Sequence, residues 1–208
     1  MPIITLVSNK GGAGKTTLSM NLAAGLQRRA ATCLLDADPQ GSSTDWARIG
    51  EGPGIGDVRS AHQDLEASLR EAARQFDHVV VDCPPSILAP QTELALRRAQ
   101  IALIPVQPSP VDIWATVHIG QALAQARDSN PGLQAFVLVN QLESRTMLSR
   151  LIDSALEEVG IPALHLGVHR RAIFRNCLLD GRTVYDMGAR GSAAVAELEA
   201  IIDEVLPA

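Results

Sequence analysis

Two lysines, Lys10 and Lys15, stand five residues apart in the stretch VSNKGGAGKTT, residues 7–17, and they are the only lysines among 18 basic side chains. An apolar strand, a glycine-rich turn and then GKTT opening a helix form the pattern of a phosphate-binding loop. In such a loop the backbone N–H groups of Gly11, Gly12, Ala13, Gly14, Lys15, Thr16 and Thr17 and the helix N-terminus face phosphate oxygens. Lys15 would reach the β- and γ-phosphates and the Thr16 hydroxyl would ligate Mg²⁺. One position departs from G-x-x-x-x-G-K-[ST], because Asn9 replaces the first glycine; asparagine tolerates positive φ better than most residues, so the turn is expected to survive. Further on, the apolar run VVVDCPP ends in Asp82, where a Walker B carboxylate holds Mg²⁺ through water. The run LLDAD closes on two more carboxylates, Asp36 and Asp38.

Elements that could hold these groups in one place are legible in the hydrophobic pattern. Short apolar runs alternate with Ala/Leu-rich segments of helical period, the pattern of stacked βα units around a parallel sheet. Strands are predicted at IITLVS, ATCLLDAD, GDVRSA, HVVVDC, IALIPV, AFVLVN and ALHLG. Helices are predicted at about 15–29, 63–75, 91–98, 113–126, 147–159, 170–179 and 193–205. This is a three-layer α/β P-loop fold, a mostly parallel sheet flanked by helices, in a single domain over 1–208. The 208 residues suffice for one compact core, and with 46% hydrophobic but 3% aromatic residues that core is aliphatic. Cys33, Cys83 and Cys177 stand singly, which argues against a zinc site or a disulfide framework and fits a reducing cytoplasm. No run approaches the length of a membrane span. The net charge of −5 argues against wholesale coating of nucleic acid while leaving a local basic face possible.

The stretch NKGGAGKTT resembles the deviant Walker A loop of the ParA/MinD family of ATPases. In that family the lysine before the paired glycines crosses a dimer interface to the partner's nucleotide, and the resemblance implies this role for Lys10. The segment LLDADPQGSSTDW resembles the family's second motif, whose second aspartate positions the attacking water, so Asp38 inherits that function. PVQPSPVD resembles the proline-containing connection, and Asn140, ending FVLVN, falls where related proteins often contact adenine. ATP and Mg²⁺ are the implied cofactors.

Other features separate the family's branches. MinD-like members end in a basic amphipathic membrane helix, whereas AELEAIIDEVLPA is acidic and anionic lipid would repel it. Iron–sulfur relatives use cysteine pairs at a dimer axis, which lone cysteines do not supply. The segment HRRAIFRNCLLDGRTVYD resembles small ParA-type partition proteins, and five arginines face two aspartates between His165 and Arg190. Arg170 and Arg171 are expected to open a helix, with Arg171 and Arg175 on one face, contacting DNA phosphates without base readout. The expectation is a cytoplasmic, nucleoid-associated bacterial ATPase without a membrane partner. It would dimerise on ATP, bind DNA nonspecifically and position a cargo such as a plasmid, a chromosome origin or a carboxysome. A small ParB-like or adaptor protein would stimulate its hydrolysis. Two alternatives stay open: a metabolic P-loop kinase or ligase indifferent to DNA, and an interaction switch with negligible hydrolysis. Trp46 and Trp114 are read as packing residues and Cys83 as a small buried one.

Overall fold

The computed structural model describes residues 1–50, 54–109, 112, 114–143 and 160–207. The helix expected at 147–159 lies outside them. Seven strands form one sheet in the order β3-β2-β4-β1-β5-β6-β7: β1 Ile3–Leu6, β2 Thr32–Asp36, β3 Val58–Ser60, β4 His78–Asp82, β5 Ile101–Val106, β6 Gln134–Leu142 and β7 Val168–His169. Every pairing among the described strands is parallel. Strands β1, β2 and β5 are buried at every position. A strand covered on both faces needs apolar residues without alternation, which is why these runs are continuous.

Helices α1 Lys15–Gln27, α2 Ser42–Ile49, α6 Ala172–Leu179 and α7 Ser192–Val205 cover one face of the sheet. On the other lie α3 Leu65–Ala72, α4 Pro90–Arg98 and α5 Val117–Ser129. Helix α1 is apolar on nearly all sides, with Leu18, Met20, Leu22, Ala23 and Leu26 buried. That composition suits a central helix packed against both the sheet and α7.

The structure departs from the sequence expectation at four places. Residues 163–167 are not a strand: Ala163 makes an isolated bridge to Val137, and the paired strand is Val168–His169. Gly167 lies so close to β6 that a Cβ there would sit 2.5 Å from the Val139 carbonyl oxygen. The helix expected from Arg170 begins at Ala172, and Arg171 is its extended N-cap. Helix α2 and a 3₁₀ segment at Val184–Arg190, kinked at Gly188 with φ of 55°, were not expected. Trp46 packs in the core as expected, but Trp114 is 64% exposed. Cys33, Cys83 and Cys177 are free and buried. No helix among the described residues is long and apolar enough to cross a membrane.

Candidate nucleotide site

The strand order places β1 between β4 and β5, so the loops after β1, β2, β4, β5 and β6 open along the same carboxyl edge of the sheet. Ligands of open α/β sheets bind in this position. Register sharpens the placement, because Leu6 and Asp36 are both opposite Asp82. The phosphate loop leaves β1 and turns through Gly12 and Gly14, whose φ angles of 82° and 92° lie in the left-handed region. Asn9 does not need that conformation. Among the described residues Gln141, at φ 61°, is the only non-glycine with positive φ. Gly14 is the N-cap of α1 and no side chain caps the helix, so its first N–H groups face the loop and an anion there would complete them.

Lys15 is 7% exposed. Its ammonium donates to Ser8 Oγ at 2.8 Å, and Ser8 Oγ in turn donates to the Lys10 carbonyl at 2.8 Å. Burial pulls the Lys15 pKa below its ordinary value while the charges of Asp82 and Asp38 work against that shift. Both carboxylates therefore lie within electrostatic reach of the ammonium. The Thr16 hydroxyl is a hydrogen-bond partner of Asp82, which also accepts from Ser43 at 2.8 Å and Ser19 at 3.3 Å. Burial raises the Asp82 carboxyl to about 6 against these hydroxyls. A threonine hydroxyl beside a carboxylate is a pair of hard oxygen donors, the chemistry that Mg²⁺ takes.

The two aspartates after β2 separate clearly. Asp36 is fully buried; its Oδ1 accepts from Asp38 N at 3.2 Å, and its Oδ2 accepts from Thr44 N at 2.8 Å and Thr44 Oγ1 at 3.0 Å. It holds the start of α2. Asp38 is half-buried and accepts from Gln40 N through Oδ1 at 2.9 Å.

Lys10 stands apart from Lys15. Its side chain is 48% exposed and its ammonium pairs with Asp112 at 2.5 Å. Asn140 comes against the loop from β6, donating to the Ala13 carbonyl at 2.9 Å. Beside it runs a cleft of about 170 Å³ lined by Gly14, Thr17, Asn140, Gln141, Phe174 and the three arginines Arg170, Arg171 and Arg175. The arginines thus border the nucleotide loop. Arg170 pairs with Glu143 at 2.8 Å and Arg171 with Glu197 at 2.5 Å, whereas Arg175 is exposed and has no ion pair among the described residues. Ser8, Ser43, Gln107 and Asp112 all lie within the motif stretches, but spacing along the chain gave them no role; their contacts to Lys15, Asp82, Gly12 and Lys10 appear only in the fold.

Glu197 anchors this edge. Its burial would raise its pKa, but hydrogen bonds from Arg171 and from the His169 backbone and ring outweigh that and hold it below the usual carboxylate range. A depressed folded pKa adds stability above the unfolded value and loses it as pH falls through the folded one. Glu197→Gln is therefore expected to lower unfolding free energy at pH 7 by about 1–2 kcal/mol. In urea titrations the deficit should close as pH falls below about 4.3, the value of a free glutamate.

The CobQ/CobB/MinD/ParA nucleotide-binding domain model matches residues 4–184. The chain belongs to this family. It is 39% identical over 207 residues to the maintenance of carboxysome distribution protein A of Halothiobacillus neapolitanus, covering 98% of this chain and 96% of that protein. Among solved structures, the ATP complex of a Cyanothece McdA variant superposes with a TM-score of 0.78 at 16% identity, covering 99% of this chain and 96% of that one. MinD of Pyrococcus horikoshii with Mg-ADP gives 0.76 at 18%, covering 99% and 97%. At these identities the two structures speak for the fold. Family and fold together bear out the ParA/MinD resemblance and the three-layer P-loop architecture.

Proposed function

We propose that this chain is a Mg²⁺-dependent ATPase that dimerises across ATP, binds DNA without sequence preference in that state, and so positions a cargo in the bacterial cytoplasm. The observation that carries the chemistry is the buried Lys15 ammonium at the mouth of α1, within reach of Asp82 and Asp38. The name of its Halothiobacillus relative makes the carboxysome the first cargo to test, and a small adaptor protein is the proposed stimulator of hydrolysis.

In this reading the N–H groups from Gly11 to Thr17 cradle the phosphates and Lys15 compensates their charge. Thr16 and Asp82 would hold Mg²⁺, directly and through water respectively, and the ion would neutralise charge on the phosphate oxygens. Asp38 orients a water for in-line attack on the γ-phosphorus, which breaks the bond to the β-phosphate and releases ADP and phosphate. Catalysis is then positioning and charge stabilisation. Lys10 reaches the partner's nucleotide, for which it must leave Asp112. Arg170, Arg171 and Arg175 are the proposed DNA contacts; Arg175 is the first of them to test, since the other two already face carboxylates.

Anisotropy on unrelated duplexes with ATP, ADP and no nucleotide tests the DNA step. Binding should require ATP, ignore sequence and weaken with salt at a log–log slope of roughly −0.9 per phosphate neutralised. Arg175→Ala should reduce that slope by about one. Equal binding in all three nucleotide states, or none at low salt, would promote the metabolic reading.

A further inference from the structure

A glycine-rich loop binds phosphate only while its N–H groups point inward, which requires its carbonyls to point away. Gly12 and Gly14, both with positive φ, give this loop wide conformational freedom, and nothing lies within 4 Å of a Cβ built at Gly11 or Gly12. The loop therefore needs an external restraint. Two side-chain amides supply it from neighbouring strands. Gln107, just after β5, donates Nε2–H to the Gly12 carbonyl at 2.9 Å. Asn140, in β6, donates Nδ2–H to the Ala13 carbonyl at 2.9 Å.

We infer that Gln107 and Asn140 are positioning residues that clamp the Gly12 and Ala13 carbonyls outward and so preorganise the loop for phosphate. The inference rests on the proposed nucleotide reading of the loop and adds a role to residues outside its motif. Three further contacts support it. Asn140 Oδ1 accepts from Gln141 N at 2.9 Å, so both polar ends of this amide are engaged by the chain itself. Gln141, in its left-handed conformation, turns its own Nε2 to the Gly12 carbonyl at 3.4 Å. A Cβ at Gly14 would sit 2.2 Å from Asn140 Nδ2, so glycine is required there by the clamp as well as by its φ. An amide engaged in this way supports the phosphate site, a role added to the adenine contact expected of Asn140, for which its second Nδ2–H and second Oδ1 lone pair stay available.

The clamp acts on binding and not on the chemical step, and that split is the test. Gln107→Met keeps length and removes the donor. It should raise the ATP dissociation constant about tenfold, the worth of one such hydrogen bond, while kcat at saturating ATP stays within about twofold of wild type. Gln107→Glu presents oxygens to a carbonyl and to phosphates and should bind ATP more weakly still. In nucleotide-free protein, amide hydrogen exchange over 11–14 should accelerate in Gln107→Met with the thermal midpoint unchanged. Asn140→Leu adds a second arm: both amides restrain one loop, so the double variant should lose less affinity than the product of the two single losses. Unchanged exchange and unchanged affinity in Gln107→Met, or a fall in kcat at constant affinity, would overturn the clamp. A wild-type protein that binds no ATP, while Gln107→Met still accelerates loop exchange, would overturn the nucleotide reading and leave the clamp standing.

Discussion

Lys15→Ala is expected to lose nucleotide binding while the nucleotide-free fold keeps its stability. Lys15 is 7% exposed and its ammonium has one hydroxyl, Ser8 Oγ, as its close partner. Burial already lowers its pKa, so holding this charge in place is a cost to the empty protein, recovered only when phosphate arrives. Removing it relieves that cost; Asp82 loses the lysine's charge, which burial answers by favouring its protonated form, and it retains the hydroxyls of Ser43, Ser19 and Thr16. With nucleotide the balance reverses, because phosphate charge in the loop loses the buried counter-charge of Lys15. The expected loss of ATP affinity exceeds about 100-fold, or roughly 3 kcal/mol. Titration calorimetry measures it, and the thermal shift induced by ATP should vanish while the unliganded midpoint holds. Lys10→Ala gives the contrast. That lysine is half exposed and paired with Asp112 outside the loop, so the variant should bind ATP almost normally and fail to double in mass by light scattering. Equal losses of affinity in the two variants would end this division of labour.

The difference between the two lysines shows what the sequence carries. Motif spacing located both, since strand, glycine turn and helix are contiguous in the chain. It also located Asp82, because a buried parallel strand is a continuous apolar run and its end is visible where the run stops. The contacts were hidden, because Ser8 after β1, Ser43 in α2, and Gln107 and Asp112 in the connection after β5 meet the two lysines, Gly12 and Asp82 only when β1 is set between β4 and β5. Local chemistry misled in places of low periodicity. Helix α2 opens on Ser42, Ser43 and Thr44, which resemble turn residues until Asp36 is seen to accept from Thr44 and hold the helix start. The short edge strand β7 lies outside 163–167, where a short apolar run suggested it, because Gly167 must pass close to the β6 backbone. The arginines were legible as a cluster but not as neighbours of the nucleotide cleft. Helical spacing relates them to one another and says nothing of Asn140 or Gly14 across the fold.

Asp38→Ala is expected to bind ATP and dimerise but to hydrolyse it at least about 100-fold more slowly, the range seen when a group aligned with the reacting atoms is removed. Asp36 and Asp38 are two residues apart, yet their surroundings assign them different work. Both oxygens of Asp36 are occupied by Asp38 N and by the backbone and hydroxyl of Thr44, and the side chain has no exposed surface. Asp38 is half-buried, its Oδ1 accepts from Gln40 N, and its charge acts on the Lys15 ammonium from across the loop. A carboxylate with open surface beside the phosphate lysine can hold a water; one consumed by its own backbone cannot. Asp36→Ala should therefore destabilise the fold by about 2–3 kcal/mol, as expected for orphaned buried donors, and its activity loss should follow the unfolded fraction. Asp38→Ala should melt like the parent, accumulate the ATP-bound dimer by light scattering, and release phosphate slowly in a single turnover. The two variants must be measured side by side, with thermal midpoint and phosphate release read on the same samples. Parental turnover in Asp38→Ala, or slow turnover explained by lost stability, would remove Asp38 from the water-positioning role.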